Sequence, residues 1–330
     1  MNKMRLVLAL IAITFAACST AEDDVVSDNS ALGSLVPETH CASNPSTGPR
    51  GSFRHFSSNL VAALGSPRHR GIDLVASASA SSQTIRGDIS YGVTDKALED
   101  EWVQLYACIN GGWTYLGPKL TDGEGRFALS LSGTARLPAG LRDLFVSVFG
   151  DRTSTRFTAV VGPSGTQLAV TDIDGTLTSS ENTFTGSVIV GGDVATQPSA
   201  AAAITALRDR GFVIVYLTAR PRYFTAETRS WLAAKGFPPG ALRLAPSLLV
   251  DSNATANYKL DAIRALALPA TVGVGNRASD AWAYYYGGIA PARSFMKRPE
   301  FASELAPWID GGWVVGFDDY SQVLSIFANL

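Results

Sequence analysis

Two acidic side chains are the residues most able to do chemistry in this sequence. Asp172 and Asp174 are separated by one residue and directly follow an apolar run, which predicts a buried strand that ends at Asp172. In an open parallel sheet, ligands bind beyond the carboxyl ends of the strands. Two carboxylates there need a compensating cation, and oxygen ligands favour Mg²⁺. The alternative is a solvated Asp-x-Asp-Gly turn with no chemical role.

Later segments add groups that suit a phosphate ester. Thr218 follows the next predicted strand, and its hydroxyl can donate to a phosphoryl oxygen. Lys259 lies at the predicted start of a helix, where its ammonium can neutralise phosphate. Asn276 and Asp280 follow a third apolar strand and offer oxygen ligands to a metal. The alternatives are a turn residue for Thr218, a surface lysine and a helix cap at Asn276.

Together these segments resemble the four motifs of the haloacid dehalogenase superfamily. More narrowly, residues 170–178, 217–221, 228–232 and 275–284 resemble the catalytic domain of lipins, the magnesium-dependent phosphatidate phosphatases. The resemblance implies that phosphatidate is hydrolysed to diacylglycerol and phosphate through an aspartyl-phosphate intermediate, with Mg²⁺ as cofactor.

The resemblance also assigns a role to each matching residue. It implies that Asp172 is the nucleophile and a metal ligand, and that Asp174 is the general acid and base and binds the metal through its carbonyl. The phosphate-binding residues would be Thr218, Arg220 and Lys259. The remaining metal ligands would be Asn276 and Asp280.

Two other functions stay open. A related domain of phosphatidylinositol transfer proteins is thought to bind phosphatidate without hydrolysing it, so this chain could be a lipid-sensing module. The presence of Asp172 and Asp174 argues against that alternative, because a pure binding module has no need of an acid/base carboxylate. A periplasmic phosphatase for soluble phosphomonoesters is the other alternative.

The order of predicted strands and helices divides the sequence into two folded regions. Residues 166–330 alternate strands with helices, which predicts an α/β domain with a parallel sheet and helices on both faces. The resemblance makes this sheet a haloacid dehalogenase-like Rossmannoid fold. Residues 53–165 contain short β-rich runs divided by turns, which predicts a small β-sandwich. That sandwich resembles transthyretin-like or carboxypeptidase-regulatory modules.

The amino-terminal segment is typical of an exported lipoprotein. Residues 1–17 have a charged head, a short apolar run and small residues, as in a signal peptide. Cys18 resembles the acylated cysteine of bacterial lipoproteins, with an ordinary signal peptide as the alternative. Residues 18–52 have the composition of a flexible tether. We therefore expect a lipid-anchored protein on the periplasmic or extracellular side of a membrane, where Cys41 and Cys108 could pair.

The composition excludes several function classes. The formal net charge is −2, from 27 Lys+Arg and 29 Asp+Glu, which gives no general attraction to nucleic acid. The three histidines, His40, His55 and His69, all lie before the α/β region. A histidine-ligated zinc site or a Ser-His-Asp triad is therefore not expected there. The expected partners are a lipid phosphomonoester and a membrane surface.

Overall fold

The computed structural model describes residues 36–181, 194–249 and 251–330. Within these residues, none of the helices combines the length and the apolar character needed to cross a bilayer. The signal peptide, Cys18 and the tether up to residue 35 lie outside the described residues, so these remain predictions.

The first folded region is a β-sandwich, as the sequence predicts. One sheet has the order β3-β11-β10-β7-β8 with β1 beside β10, and the other has the order β2-β4-β9. Their inner faces bury a common apolar core. The elements are β1 (Glu38–Thr39), α1 (Phe56–Ala62), β2 (Arg70–Ile72), β3 (Leu74–Ser77), β4 (Ser82–Asp88), β5 (Ser90–Tyr91), β6 (Lys96–Ala97), β7 (Trp102–Ile109), β8 (Gly112–Leu120), β9 (Arg126–Ser132), β10 (Gly140–Val148) and β11 (Ser154–Gly162).

The expected tether differs from the structure over residues 36–52. Strand β1 pairs with β10, and Cys41 forms a disulfide with Cys108 of β7. The indole of Trp113 also donates to the carbonyl of Ser43 at 2.7 Å. This segment therefore packs on the sandwich. Its composition is that of a linker, and a strand of two residues has no periodicity that sequence analysis could detect.

The second region is an α/β domain with a parallel sheet of order β14-β13-β12-β15-β16-β17. Apolar helix faces cover both sides of the sheet and form two cores. The elements are β12 (Leu168–Thr171), α2 (Ala200–Asp209), β13 (Val213–Pro221), α3 (Thr225–Ala234), β14 (Gly240–Ala245), α4 (Ser252–Arg264), β15 (Ala270–Gly275), α5 (Ala278–Tyr286), β16 (Ser294–Lys297), α6 (Ala302–Asp310), β17 (Val315–Phe317) and α7 (Tyr320–Phe327).

The two regions share a buried polar contact. The carboxylate of Asp73, at the turn between β2 and β3, accepts hydrogen bonds from Arg229 of α3 at 2.9 Å and from the backbone amide of Leu242 at 2.7 Å. Val75 and Val160 of the sandwich pack into the same apolar cluster as Leu260 and Ile263 of α4. The sandwich is therefore packed against the sheet face that carries α4.

Candidate functional site

The expected chemical residues meet at the carboxyl edge of the parallel sheet. Asp172 directly follows β12, and its amide donates to the carbonyl of Val274 in β15 at 2.9 Å, which fixes the two strand ends together. Gly175 has φ +68°, and a Cβ there would lie 2.1 Å from Nδ2 of Asn276. A glycine after Asp174 is therefore required by both the turn and the close approach of the neighbouring loop.

A buried lysine ties two of the aspartates together. Nζ of Lys259 donates to Oδ1 of Asp172 at 2.7 Å and to Oδ1 of Asp280 at 2.5 Å. The exposed fractions of the three residues are 3%, 4% and 0%. Charges so far from water are stable only when they are paired and hydrogen-bonded, as they are here.

Burial and pairing act in opposite directions on these groups. Burial raises the pKa of Asp172 to about 8, although Lys259 opposes the shift and Asp280 adds to it. Burial alone would lower the pKa of Lys259, but Asp172 and Asp280 outweigh it and the pKa is raised. Lys259 is therefore a permanent cation at neutral pH.

Asp174 is held by an arginine. Its carboxylate accepts from Nη2 of Arg220 at 2.7 Å and from Nε at 2.8 Å, and from the hydroxyl of Thr218 at 3.2 Å. Nη1 of Arg220 donates to Thr228 at 3.1 Å. Strand β13 extends past Thr218 to Pro221, beyond the predicted strand end, and so brings Arg220 under Asp174. Both predicted phosphate-binding side chains of this strand thus contact Asp174.

The remaining two predicted metal ligands also have protein partners. Oδ2 of Asp280 accepts from the amides of Asn276 at 3.1 Å and Arg277 at 3.0 Å, as an N-terminal cap of α5 does. Oδ1 of Asn276 accepts from the hydroxyl of Thr176 at 3.0 Å.

The structure thus brings Asp172, Asp174, Asn276 and Asp280 to one edge, where their side chains have protein partners. Across residues 36–181, 194–249 and 251–330, no three His, Cys, Asp or Glu side chains are grouped so that they could hold a metal ion. Lysine and amide hydrogens bind the carboxylates of Asp172 and Asp280, whereas the predicted ligand atom of Asp174 is its carbonyl oxygen. The magnesium site therefore stays a prediction.

Lys259 lies elsewhere in its helix than the sequence predicts. The prediction that a helix starts at Tyr258 is wrong, because α4 begins at Ser252 and its N-cap Asp251 accepts from the amide of Ala254 at 2.7 Å. The first turn is polar and lacks an apolar periodicity, so it has the composition of a loop. Lys259 is therefore about two turns into the helix, and its Nζ reaches Asp172 and Asp280 beyond the strand ends.

Sequence reasoning missed two charged residues of the site. Oε2 of Glu181 accepts from Nδ2 of Asn276 at 3.0 Å, and burial raises the pKa of Glu181. The guanidinium of Arg277 pairs with Glu304 at 3.1 Å and approaches Glu181 at 3.5 Å. The Gly-Asn-Arg segment could have indicated Arg277, whereas no local pattern marks Glu181.

These groups surround a pocket of about 250 Å³, which we call the edge pocket. The first turns of α4 and α5 both reach it, so the positive dipole ends of two helices face the same space, although the amides of Ala254, Arg277 and Ala278 already donate to carboxylates. Lys259 and Arg277 add two side-chain cations. The lining residues are Asp172, Asp174, Glu181, Ala219, Leu249, Asp251, Ser252, Thr255, Lys259, Arg277 and Ser279.

Fold and pocket together define a two-domain protein in which a sandwich precedes an α/β domain with a charged ligand pocket. Residues 169–297 match the family model described as the LNS2 domain of PITM 1-3, which is related to lipins. Residues 67–161 match the model described as the PITM 1-3 beta-sandwich domain. The lipin-type resemblance is confirmed at this level.

The same combination occurs in membrane-associated phosphatidylinositol transfer proteins. The chain is 29% identical to member 3 from Homo sapiens over 187 residues, 56% of this chain and 18% of that protein. It is 26% identical to member 1 from Rattus norvegicus over 233 residues, which are 69% of this chain and 18% of that protein. It is 28% identical to the retinal degeneration B protein of Drosophila melanogaster over 187 residues, which are 56% of this chain and 14% of that protein. The chain therefore matches less than a fifth of the length of each relative.

Proposed function

We propose that the α/β domain binds the headgroup of a lipid phosphomonoester, with phosphatidate as the first candidate, and that the protein acts as a lipid-binding module at a membrane. The observation that carries this proposal is the convergence of two helix N-termini, Lys259 and Arg277 on the edge pocket.

Four carboxylates line the edge pocket besides Lys259 and Arg277, and three of them are paired with Lys259, Arg220 and Arg277, so the groups that attract a phosphate are the helix N-termini and the exposed side of Arg277. Amides at a helix N-terminus point at a bound anion, and the helix dipole favours its negative charge. Arg277 is partly exposed and can turn a planar fork toward the phosphate oxygens. Lys259 lies at the base of the pocket, where its charge is little screened.

The position of Asp174 supports binding rather than turnover. An acid/base group must reach the ester oxygen of the leaving group. Here the carboxylate of Asp174 accepts hydrogen bonds from Arg220 and Thr218 instead. The similarity to membrane-associated phosphatidylinositol transfer proteins points in the same direction.

The second candidate is the haloacid dehalogenase-type phosphatase that the sequence predicts. It is favoured by one observation, that Asp172 and Asp174 stand together at a strand end with Lys259 bound to Asp172. In that reaction Asp172 attacks phosphorus, Asp174 gives a proton to the departing alkoxide, and water then releases phosphate from the aspartyl ester. Asp174 would first have to leave Arg220.

A paired measurement on the full chain separates the two candidates. Sedimentation with phosphatidylcholine vesicles that contain phosphatidate reports binding, and free phosphate in the same samples reports hydrolysis. We expect binding without phosphate release, weakened at least about tenfold by Arg277→Ala, since a charge-assisted bidentate contact is lost. Arg298→Ala is the matched control, because Arg298 is a partly exposed arginine paired with Asp318. Steady phosphate release would instead establish the phosphatase, and glycerol phosphate as substrate tests its soluble variant.

A further inference from the structure

A second cavity lies beside the edge pocket. It is a groove of about 450 Å³ between α4, α5 and α6, which we call the tryptophan groove. This volume is within the range of small-molecule sites, roughly 300–1,000 Å³. Its lining residues are Ser252, Asn253, Ala256, Asn257, Ala278, Ser279, Trp282, Glu304 and Trp308.

We propose that the tryptophan groove receives the glycerol and the first acyl carbons of the lipid whose phosphate occupies the edge pocket. The proposal rests on the lipid-binding function above and names the part of the site that distinguishes a lipid from a soluble phosphate ester.

The groove adjoins the edge pocket. Ser252, at the start of α4, and Ser279, in the first turn of α5, line both cavities. A ligand with its phosphate at the two helix N-termini therefore extends into the groove without displacing a helix. The occupant must accordingly be the remainder of a phosphate ester.

The walls of the groove match an ester of glycerol. Trp282 and Trp308 supply large apolar faces, whereas Asn253 and Asn257 supply amides near the ester carbonyls. Glu304 is the charged residue among those that line it, and its carboxylate is taken up by Arg277 at 3.1 Å and by the amide of Ala278 at 2.7 Å. The groove thus presents apolar surface beside one charge, that of Glu304, which is compensated while Arg277 keeps this ion pair and otherwise only by the amide of Ala278.

An aromatic strip leads from the groove to the surface. The ring of Trp282 lies 4.9 Å from Tyr286, which lies 5.1 Å from Tyr285, which lies 4.8 Å from Trp313. The last three side chains are 51%, 37% and 43% exposed. Tryptophan and tyrosine concentrate at the interface between bilayer and water, so the strip indicates that the lipid remains in a membrane while it is bound.

The test compares three soluble ligands by calorimetry on the full chain: inorganic phosphate, glycerol 3-phosphate and dihexanoyl phosphatidate below its micellar concentration. We expect the wild type to bind the dihexanoyl lipid at least about tenfold more tightly than glycerol 3-phosphate, because burial of a few methylenes suffices for such a ratio. Trp282→Ser should bring the ratio close to one and leave the Kd for inorganic phosphate unchanged.

Two further variants control for folding and for general loss of tryptophan. Asn257→Trp fills the groove from an exposed position of α4, so it should abolish the lipid preference without a packing defect. Trp102→Ser removes a tryptophan that is 39% exposed on the sandwich and should keep the wild-type ratio.

The outcomes distinguish a failure of the groove assignment from a failure of the proposed function. A wild-type ratio in both Trp282→Ser and Asn257→Trp would overturn the groove assignment while the phosphate site stands. Loss of the preference in Trp102→Ser as well would overturn it equally. If the wild type binds none of the three ligands, the proposed function fails and the groove assignment fails with it.

Discussion

Replacement of Lys259 by methionine tests whether the buried ion pairs organise the site. In Lys259→Met, Asp172 and Asp280 remain buried with no cation between them, at exposed fractions of 4% and 0%. Removal of one partner of a buried ion pair usually costs about 3–5 kcal/mol of unfolding free energy. We therefore expect a loss of about this size at pH 7, measured by urea denaturation.

The same variant should lose further stability, relative to wild type, in alkali. Without Lys259, burial and mutual repulsion keep the pKa of the carboxyl of Asp172 above its unfolded value, so the folded state binds more protons than the unfolded state. Stability from such a group is full below the unfolded pKa and is lost as pH rises through the folded one. Because the pKa of Asp172 is about 8 in the wild type and would rise further without Lys259, the difference from wild type should stay nearly constant between pH 5 and pH 7 and grow above about pH 8.

The control is Lys119→Met, which removes an exposed lysine of β8 and should change the unfolding free energy by less than about 0.5 kcal/mol. A loss below about 1 kcal/mol in Lys259→Met at pH 7, or a loss that does not grow above about pH 8, would refute the argument that uncompensated burial is the cause.

Four further outcomes are expected. Burial lowers the pKa of His69 to about 4, so the wild type should lose up to about 3 kcal/mol of stability as pH falls from 6.5 toward 4, and His69→Gln should remove this dependence in urea titrations. Asp172→Asn should sediment with phosphatidate vesicles at least as well as wild type, because its amide oxygen still accepts from Lys259; a tenfold weakening would contradict this. Chelator should leave vesicle binding unchanged, and a loss reversed by Mg²⁺ would instead support the metal site expected from the sequence. Cys18→Ala should move the protein from the membrane fraction to the soluble one, whereas retention would count against a lipid anchor.

The sequence predicts the order of the two domains because each has a strong local signal. Apolar runs such as 168–171 give the strands, and alanine-rich segments such as 200–209 give the helices. Strands β16 and β17 were not predicted, because they are only four and three residues long. Register and sheet order depend on packing between distant segments, which no local pattern records.

The candidate site was predicted as a set of residues but not as an arrangement. Strand ends of a parallel sheet converge by construction, so Asp172, Thr218 and Asn276 were expected to lie together. The hydrogen-bond partner of each side chain was not predicted, because it depends on the exact relative positions of side chains from distant segments. Glu181 has no motif of its own and enters the site only through its contact with Asn276.

The contacts of Lys259 explain how a pair of motif aspartates would serve the proposed lipid-binding function. An ammonium buried at the base of a pocket cannot remain charged alone, since its desolvation would expel the proton. Asp172 and Asp280 raise its pKa and fix its Nζ between two strand ends. Arg220 and Asp174 form a comparable pair one strand away. The acidic residues therefore hold fixed cations beneath the edge pocket, a role that needs no attack on phosphorus and that sequence motifs alone do not distinguish from catalysis.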